Sequence, residues 1–218
     1  MRLIISLITI FSTVILQGCQ QNKVESKIEE NVKMSEPQNK NLATATFASG
    51  CFWCTEAIFE RVKGVYSIES GYTGGTFENP TYQQVSNGNT NHAEAIQLTF
   101  DSTEITYDEL LEIFWKTHDP TTLNKQGADV GTQYRSAIFY HNEEQKQKAE
   151  FYKNELSKAG LWKDPIVTEI VPFKKFYKAE DYHQDYYENN PNQGYCAYVI
   201  TPKIEKFEKI FKDKLKKN

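Results

Sequence analysis

The 218-residue chain carries 25 Lys and Arg against 29 Asp and Glu, a formal net charge of −4 at pH 7, so it lacks the basic footprint of a nucleic-acid-binding protein. Thirteen tyrosines and thirteen phenylalanines suit a core with aromatic-lined pockets. No internal repeat or low-complexity block interrupts residues 42–218, a length sufficient for one domain with a sizeable core.

At the N-terminus, Arg2 precedes an apolar run from Leu3 to Leu16, too short for a comfortable membrane span and suited to a signal-peptide core. The run ends in Leu16-Gln17-Gly18-Cys19, which resembles a bacterial lipobox, the signal whose cysteine is lipidated and becomes the new N-terminus. The expectation is a lipoprotein signal peptide over 1–18 and a cell-envelope protein anchored to the membrane by a lipid on Cys19. Gln20 in place of Asp resembles an outer-membrane lipoprotein. The plainer alternative is a secretory signal with a chance cysteine. Residues 19–41 are polar and charged with hardly any large apolar side chain, and read as a flexible tether.

Ala43 to Ala48 alternates small, β-branched and aromatic residues as a short buried strand does. Gly50 follows as a turn, and Ala57, Ile58, Phe59, Val62 and Val65 recur at helical spacing with Gly64 as a stop. Val65 to Gly71 predicts a second strand leading into a Tyr72-Thr73-Gly74-Gly75 turn. Asn79-Pro80-Thr81-Tyr82 opens a short helix through Val85, and Ser86 to Asn91 is a loop. His92 to Phe100 alternates as a strand, with Ala93, Ala95 and Gln97 against Glu94, Ile96 and Leu98. Thr106 with Glu109 forms a capping box for a helix through Trp115. His118 to Tyr134 has no clear period and reads as a long ordered loop. A strand over Ser136–Tyr140, a helix over Glu143–Lys158 and a strand over Ile166–Val171 follow. A polar-aromatic coil with a short helix near Glu180 then runs to Cys196, and 201–216 reads as an amphipathic helix. The alternation predicts an α/β (α+β) sandwich, a mixed β-sheet with helices packed on one face.

The chemistry centres on Gly50-Cys51-Phe52-Trp53-Cys54. A strand, a glycine turn and a helix start place the Cys51 sulfur near unpaired N–H groups and the positive end of the helix, an environment expected to lower its pKa and favour the nucleophilic thiolate. A buried structural cysteine is the plainer reading, weakened by a second cysteine three residues on. With Cys19 set aside, Cys51, Cys54 and Cys196 remain, an odd number that argues for a working thiol. Glu94 either faces solvent from its strand or enters an aromatic pocket, where desolvation makes it a general acid near neutral pH. The Asp129–Arg135 loop is rich in hydrogen-bonding groups. Asp181 to Tyr187 contains metal-ligand residue types, but their spacing suits no common site and aromatic coil packing is the better reading.

Five blocks, GCFWCTEAIF at 50–59, GYTGGTFENPTY at 71–82, HAEAIQLTFD at 92–101, HDPTTLNKQGADVGTQYRSAIFY at 118–140 and AEDYHQDYYENNPNQGYC at 179–196, together resemble the A-type methionine sulfoxide reductases, the peptide-methionine (S)-S-oxide reductases. The resemblance runs from Thr44 to Ile200, with departures at Thr76, Ser86, Asn91 and Lys125. It implies a ferredoxin-like two-layer sandwich with a long C-terminal coil, and neither cofactor nor metal. It implies that the Cys51 thiolate attacks the sulfoxide sulfur and that Glu94 protonates the departing oxygen. By the same resemblance Tyr82 and Tyr134 hold that oxygen, Phe52 and Trp53 wall the methyl group, and Asp129 orders the site. Cys51 becomes a sulfenic acid, Cys54 or Cys196 resolves it, and a thioredoxin-like dithiol reduces the disulfide. The substrate implied is methionine sulfoxide, free and in oxidised proteins.

Three rivals remain. A thioredoxin-like dithiol oxidoreductase also starts a helix with CxxC, but does not require the blocks around Glu94 and Tyr134. A zinc-binding structural lipoprotein would use Cys51, Cys54, Cys196 and His183, yet has no second CxxC or HxxxH pair. A non-catalytic surface adhesin would not need every residue of the chemistry.

Overall fold

Residues 41–217 are described by a computed structural model; the expected signal peptide, Cys19 and the tether up to Lys40 lie outside the described residues. Leu42–Ser49 (β1) leads through Gly50 into the helix Phe52–Phe59 (α1). Gly50 sits at φ +97, and a Cβ there would lie 2.6 Å from the Gln126 side chain; only glycine permits this turn without strain. Val65–Thr73 (β2), the short helix Tyr82–Ser86 (α2) and Ala93–Asp101 (β3) follow. Asn91 occupies the left-handed region at φ +56, a conformation asparagine tolerates better than most residues.

Tyr107–Thr117 (α3) starts with the Thr106–Glu109 capping box that its sequence predicts. The next stretch is more structured than a plain loop. Lys125–Gln126 (β4) pairs with Asp129–Val130 (β5) as a small hairpin, and Thr132–Tyr134 forms one 3₁₀ turn. The Gln126 amide closes the segment, with Oε1 accepting from the Asp119 N–H and Nε2 donating to the Asp119 carbonyl. Ser136–Tyr140 (β6), Glu143–Ala159 (α4) and Glu169–Pro172 (β7) complete the regular part.

The sheet order is β7-β6-β1-β3-β2-β8, where β8 is Phe176–Lys178. Among the described residues only β6 and β7 pair in parallel. Its central four strands, β6-β1-β3-β2, have the antiparallel order of a ferredoxin-like βαββαβ unit, with α1 between β1 and β2 and α3 between β3 and β6. The mixed-sheet expectation therefore holds.

Strand period sets the two faces. Ala45, Phe47, Ile96, Leu98, Phe100 and Ile138 join the main core beneath the helices, with Phe47 packed against Phe59 and Phe114 at 5.5 and 5.2 Å between ring centroids. The alternate residues Ala48, Ala93, Ala95, Ala137 and Phe139 form a thinner cluster on the opposite face, covered by Val171, Phe173 and Phe176.

The C-terminal region departs most from its sequence reading. Instead of coil it holds β8, a 3₁₀ turn at Asp181–His183, the short helix Tyr186–Asn189 (α5) and a π-helical turn at Cys196–Ile200. The last helix, Thr201–Ile210 (α6), stops before Phe211, and Leu215 instead bridges back to Val62. The 3₁₀ turn meets the short helix expected near Glu180; local pattern did not reveal the others because each is short and is stabilised by packing on α1 and β2 rather than by its own period.

Candidate active site

Cys51 caps α1, and Cys54 lies at the C-terminal side of the same first turn, its N–H donating to the Cys51 carbonyl at 3.1 Å. Both sulfurs are buried reduced thiols. Around them, Cys51, Phe52, Trp53, Tyr82, Glu94, Asp129, Tyr134 and Tyr195 line a small pocket of about 200 Å³. The structure thus gathers Cys51, Phe52, Trp53, Tyr82, Glu94, Asp129 and Tyr134 at one place, whereas neither Cys54 nor Cys196 lines the pocket.

Glu94 decides its own ambiguity by register. It stands opposite Tyr72 on β2 and points to the helix face with Ile96 and Leu98. There it is 2% exposed and accepts a hydrogen bond from the Phe52 N–H at 3.1 Å. Burial pushes its pKa up to about 8, with the Asp129 and Cys54 charges acting in the same direction against the Phe52 hydrogen bond. At neutral pH it is a protonated acid.

The thiols depart from the helix-start expectation. Burial holds the Cys51 thiol well above its ordinary value, reinforced by its hydrogen bond with Cys54 and by the charges of Cys54 and Glu94. That desolvation outweighs the favourable field at the helix start. The charge moves to Cys54. The hydrogen bond from Cys51, followed by the Lys203 ammonium, draws its pKa down to about 7 against the cost of burial.

Tyr82 and Tyr134 face the pocket half-buried, and among the described residues neither hydroxyl has a hydrogen-bond partner. Burial raises Tyr82 to about 12, and Tyr134 is raised by the same cause, so both keep their protons as donors. Asp129, on β5, accepts from the Tyr195 hydroxyl at 2.6 Å.

Sequence reasoning missed the supporting roles of three residues, having weighed one of them, His183, only as a zinc ligand. Tyr195, concealed beside Cys196 in the last block, ties the tail to the hairpin and stands 3.9 Å from Cys54 Sγ. Glu180 accepts from the Tyr82 N–H at 2.9 Å and from the Tyr72 hydroxyl at 3.0 Å, which seats the start of α2. His183, 1% exposed, accepts from Trp53 Nε1 at 3.1 Å through Nδ1. Trp53 also stacks on Tyr186 at 3.6 Å and 6°, so the tail fixes its ring. Among the described residues no group of three or more His, Cys, Asp and Glu side chains is arranged to hold a metal ion.

Cys196 needs correction. The sequence places it at the end of a coil, whereas it is fully buried in the π-helical turn. Burial raises its thiol and the Cys54 charge adds to the rise, so Cys54 lies electrostatically between the other two sulfurs.

A family model described as peptide methionine sulfoxide reductase matches residues 43–215. The peptide methionine sulfoxide reductase MsrA of Saccharolobus solfataricus is 55% identical over 175 residues, covering 80% of this chain and 98% of the relative. That of Acinetobacter baumannii strain SDF is 53% identical over 173 residues, covering 78% and 98%. Among solved structures, reduced Mxr1 from Saccharomyces cerevisiae superposes with a TM-score of 0.66 at 35% identity, covering 74% of this chain and 91% of that one. Methionine sulfoxide reductase A of Corynebacterium diphtheriae gives 0.65 at 38%, covering 75% and 80%.

Proposed function

Since the chain belongs to the peptide methionine sulfoxide reductase family, we propose that the pocket at Cys51 is where its reaction, reduction of methionine sulfoxide to methionine, takes place. One observation carries this reading: a buried thiol, a carboxyl kept protonated near neutral pH and two unpartnered tyrosine hydroxyls converge on one pocket. Tyr82 and Tyr134 donate to the sulfoxide oxygen, and Phe52 and Trp53 receive the methyl group. Cys51 attacks sulfur as a thiolate, passing its proton to the hydrogen-bonded Cys54 sulfur, while Glu94 protonates the departing oxygen. Methionine leaves and Cys51 is left as a sulfenic acid. One enzyme serves each sulfoxide epimer, and this pocket serves the S form.

Cys54 or Cys196 then condenses with the sulfenic acid, and a thioredoxin-like dithiol reduces the resulting disulfide. The test is single turnover with one equivalent of methionine-S-sulfoxide and no reductant. Wild type yields one equivalent of methionine and Cys51→Ser none; methionine from Cys51→Ser would overturn the assignment.

We also propose that the protein works in the cell envelope, lipid-anchored through Cys19. Arg2, the apolar run Leu3–Leu16 and the Gly18-Cys19 pair support this reading, and a cysteine bearing two or three acyl chains is held stably by a bilayer. Fractionation tests it: Cys19→Ser moves to the soluble fraction, and a soluble wild-type protein retaining Met1 overturns it.

A further inference from the structure

α6 begins two residues before Lys203, and the Lys203 ammonium lies 3.7 Å from Cys54 Sγ. This sulfur contact is the one side-chain hydrogen bond Lys203 makes among the described residues. The other groups facing Cys54 offer no second cation. Cys51 lies on the same turn of α1, Glu94 comes from β3, Asp129 from β5, and Tyr195 and Cys196 from the tail. The single proton of Tyr195 goes to Asp129 at 2.6 Å. His118, beside Lys203 in the outer cleft, is held neutral because burial pushes its pKa down to about 4.

We propose that Lys203 is the activating residue of the resolving step, its ammonium holding Cys54 as the nucleophile that attacks the Cys51 sulfenic acid. The proposal rests on the reading of Cys51 as the sulfur that reduces the sulfoxide. Cys54 first releases to solvent the proton it took from Cys51, and a lone pair on its thiolate then forms the S–S bond while the S–O bond of the sulfenic acid breaks. Hydroxide leaves and takes a proton from solvent to become water. The Cys54 sulfur is oxidised and the Cys51 sulfur reduced by the same amount, so the step needs no outside oxidant. Because the π-helical turn and α6 are continuous, one helix carries both Lys203 and Cys196 to Cys54.

The physical signature is a crossing of pH profiles. A nearby cation raises the thiolate fraction at low pH, by about tenfold for a contact of this kind. The less basic thiolate is also intrinsically slower, by about threefold on the usual Brønsted slope. Removing the cation therefore slows the resolving step about threefold at pH 6, yet leaves it up to about threefold faster at pH 9, where both thiols are ionised.

The experiment mixes reduced full-length enzyme with one equivalent of methionine-S-sulfoxide, without reductant, between pH 6 and 9. Disulfide formation is followed by thiol loss, and the sulfenic acid by dimedone trapping. Lys203→Met is expected to show the crossing, with more trapped sulfenic acid at pH 6, and Lys203→Arg to follow wild type. A uniform slowing at every pH, or an unchanged profile, would overturn the proposal. Cys54→Ser is expected to accumulate sulfenic acid. A disulfide formed there at the wild-type rate would also overturn the role of Lys203, while the methionine produced would leave the reductase reading intact.

Discussion

The Phe52 N–H donates to Glu94 Oε2 at 3.1 Å, so the backbone beside the Cys51 cap grips the carboxyl from β3. The bond sets the separation of thiol and acid without relying on a flexible side chain. It also occupies Oε2, leaving the other oxygen of the protonated carboxyl to carry its proton into the pocket.

Glu94→Gln keeps the Phe52 hydrogen bond and removes the acidic proton. We expect the methionine-forming step to fall by about 10²–10⁴-fold, the usual worth of general acid catalysis. Wild type loses this step as pH rises through about 8, the value to which burial raises Glu94; the variant lacks that limb. Rapid-quench rates between pH 6 and 9.5 decide it, and an unchanged profile in Glu94→Gln would remove Glu94 from the mechanism.

The same substitution is expected to stabilise the fold. Glu94 binds its proton more tightly folded than unfolded, so stability is fully present below the ordinary value near 4.5 and falls as pH rises through about 8. Glu56, buried and raised to about 7 by desolvation, acts in the same direction. Glu94→Gln removes roughly 3 kcal/mol of this loss between pH 4 and 7. Urea unfolding at the two pH values measures it: the gap between variant and wild type should widen at pH 7, and a constant gap contradicts the assignment.

Tyr195→Phe leaves Asp129 without its 2.6 Å donor and unties the tail from the β4–β5 hairpin. A hydrogen bond to a charged group is worth roughly 1.5–3 kcal/mol. We expect a loss of that size in unfolding free energy, together with faster amide exchange over 193–200. Wild-type exchange in that segment would show that the bond does not hold the tail.

Burial of Cys196 orders the disulfides. After one turnover without reductant, peptide mapping should find Cys51–Cys54 first, in wild type and in Cys196→Ser alike. Cys196 can exchange into that bond only once the π-helical turn opens, which gives a second, slower disulfide in wild type. A first disulfide containing Cys196 would contradict this order.

Much of this protein was determined by its sequence locally. The Thr106–Glu109 capping box, the alternation of β3 and the glycine before Cys51 each act over a few residues, and each forms as the chain pattern requires. The five motif blocks likewise carry the family and the identity of most pocket residues. Tertiary structure decided what those residues are chemically. Alternation placed Glu94 with Ile96 and Leu98, but only the helix layer and Tyr72 across the strand pair made that face dry and the carboxyl protonated. The helix start pointed to a thiolate at Cys51, whereas burial of Cys51, its hydrogen bond to Cys54 and a lysine 149 positions after Cys54 moved the charge to Cys54. Nothing near Cys196 in sequence foretold its burial, because the π-helical turn is held by packing across the domain. Protonation states depend on desolvation and on charges brought together from distant segments, and a local pattern contains neither.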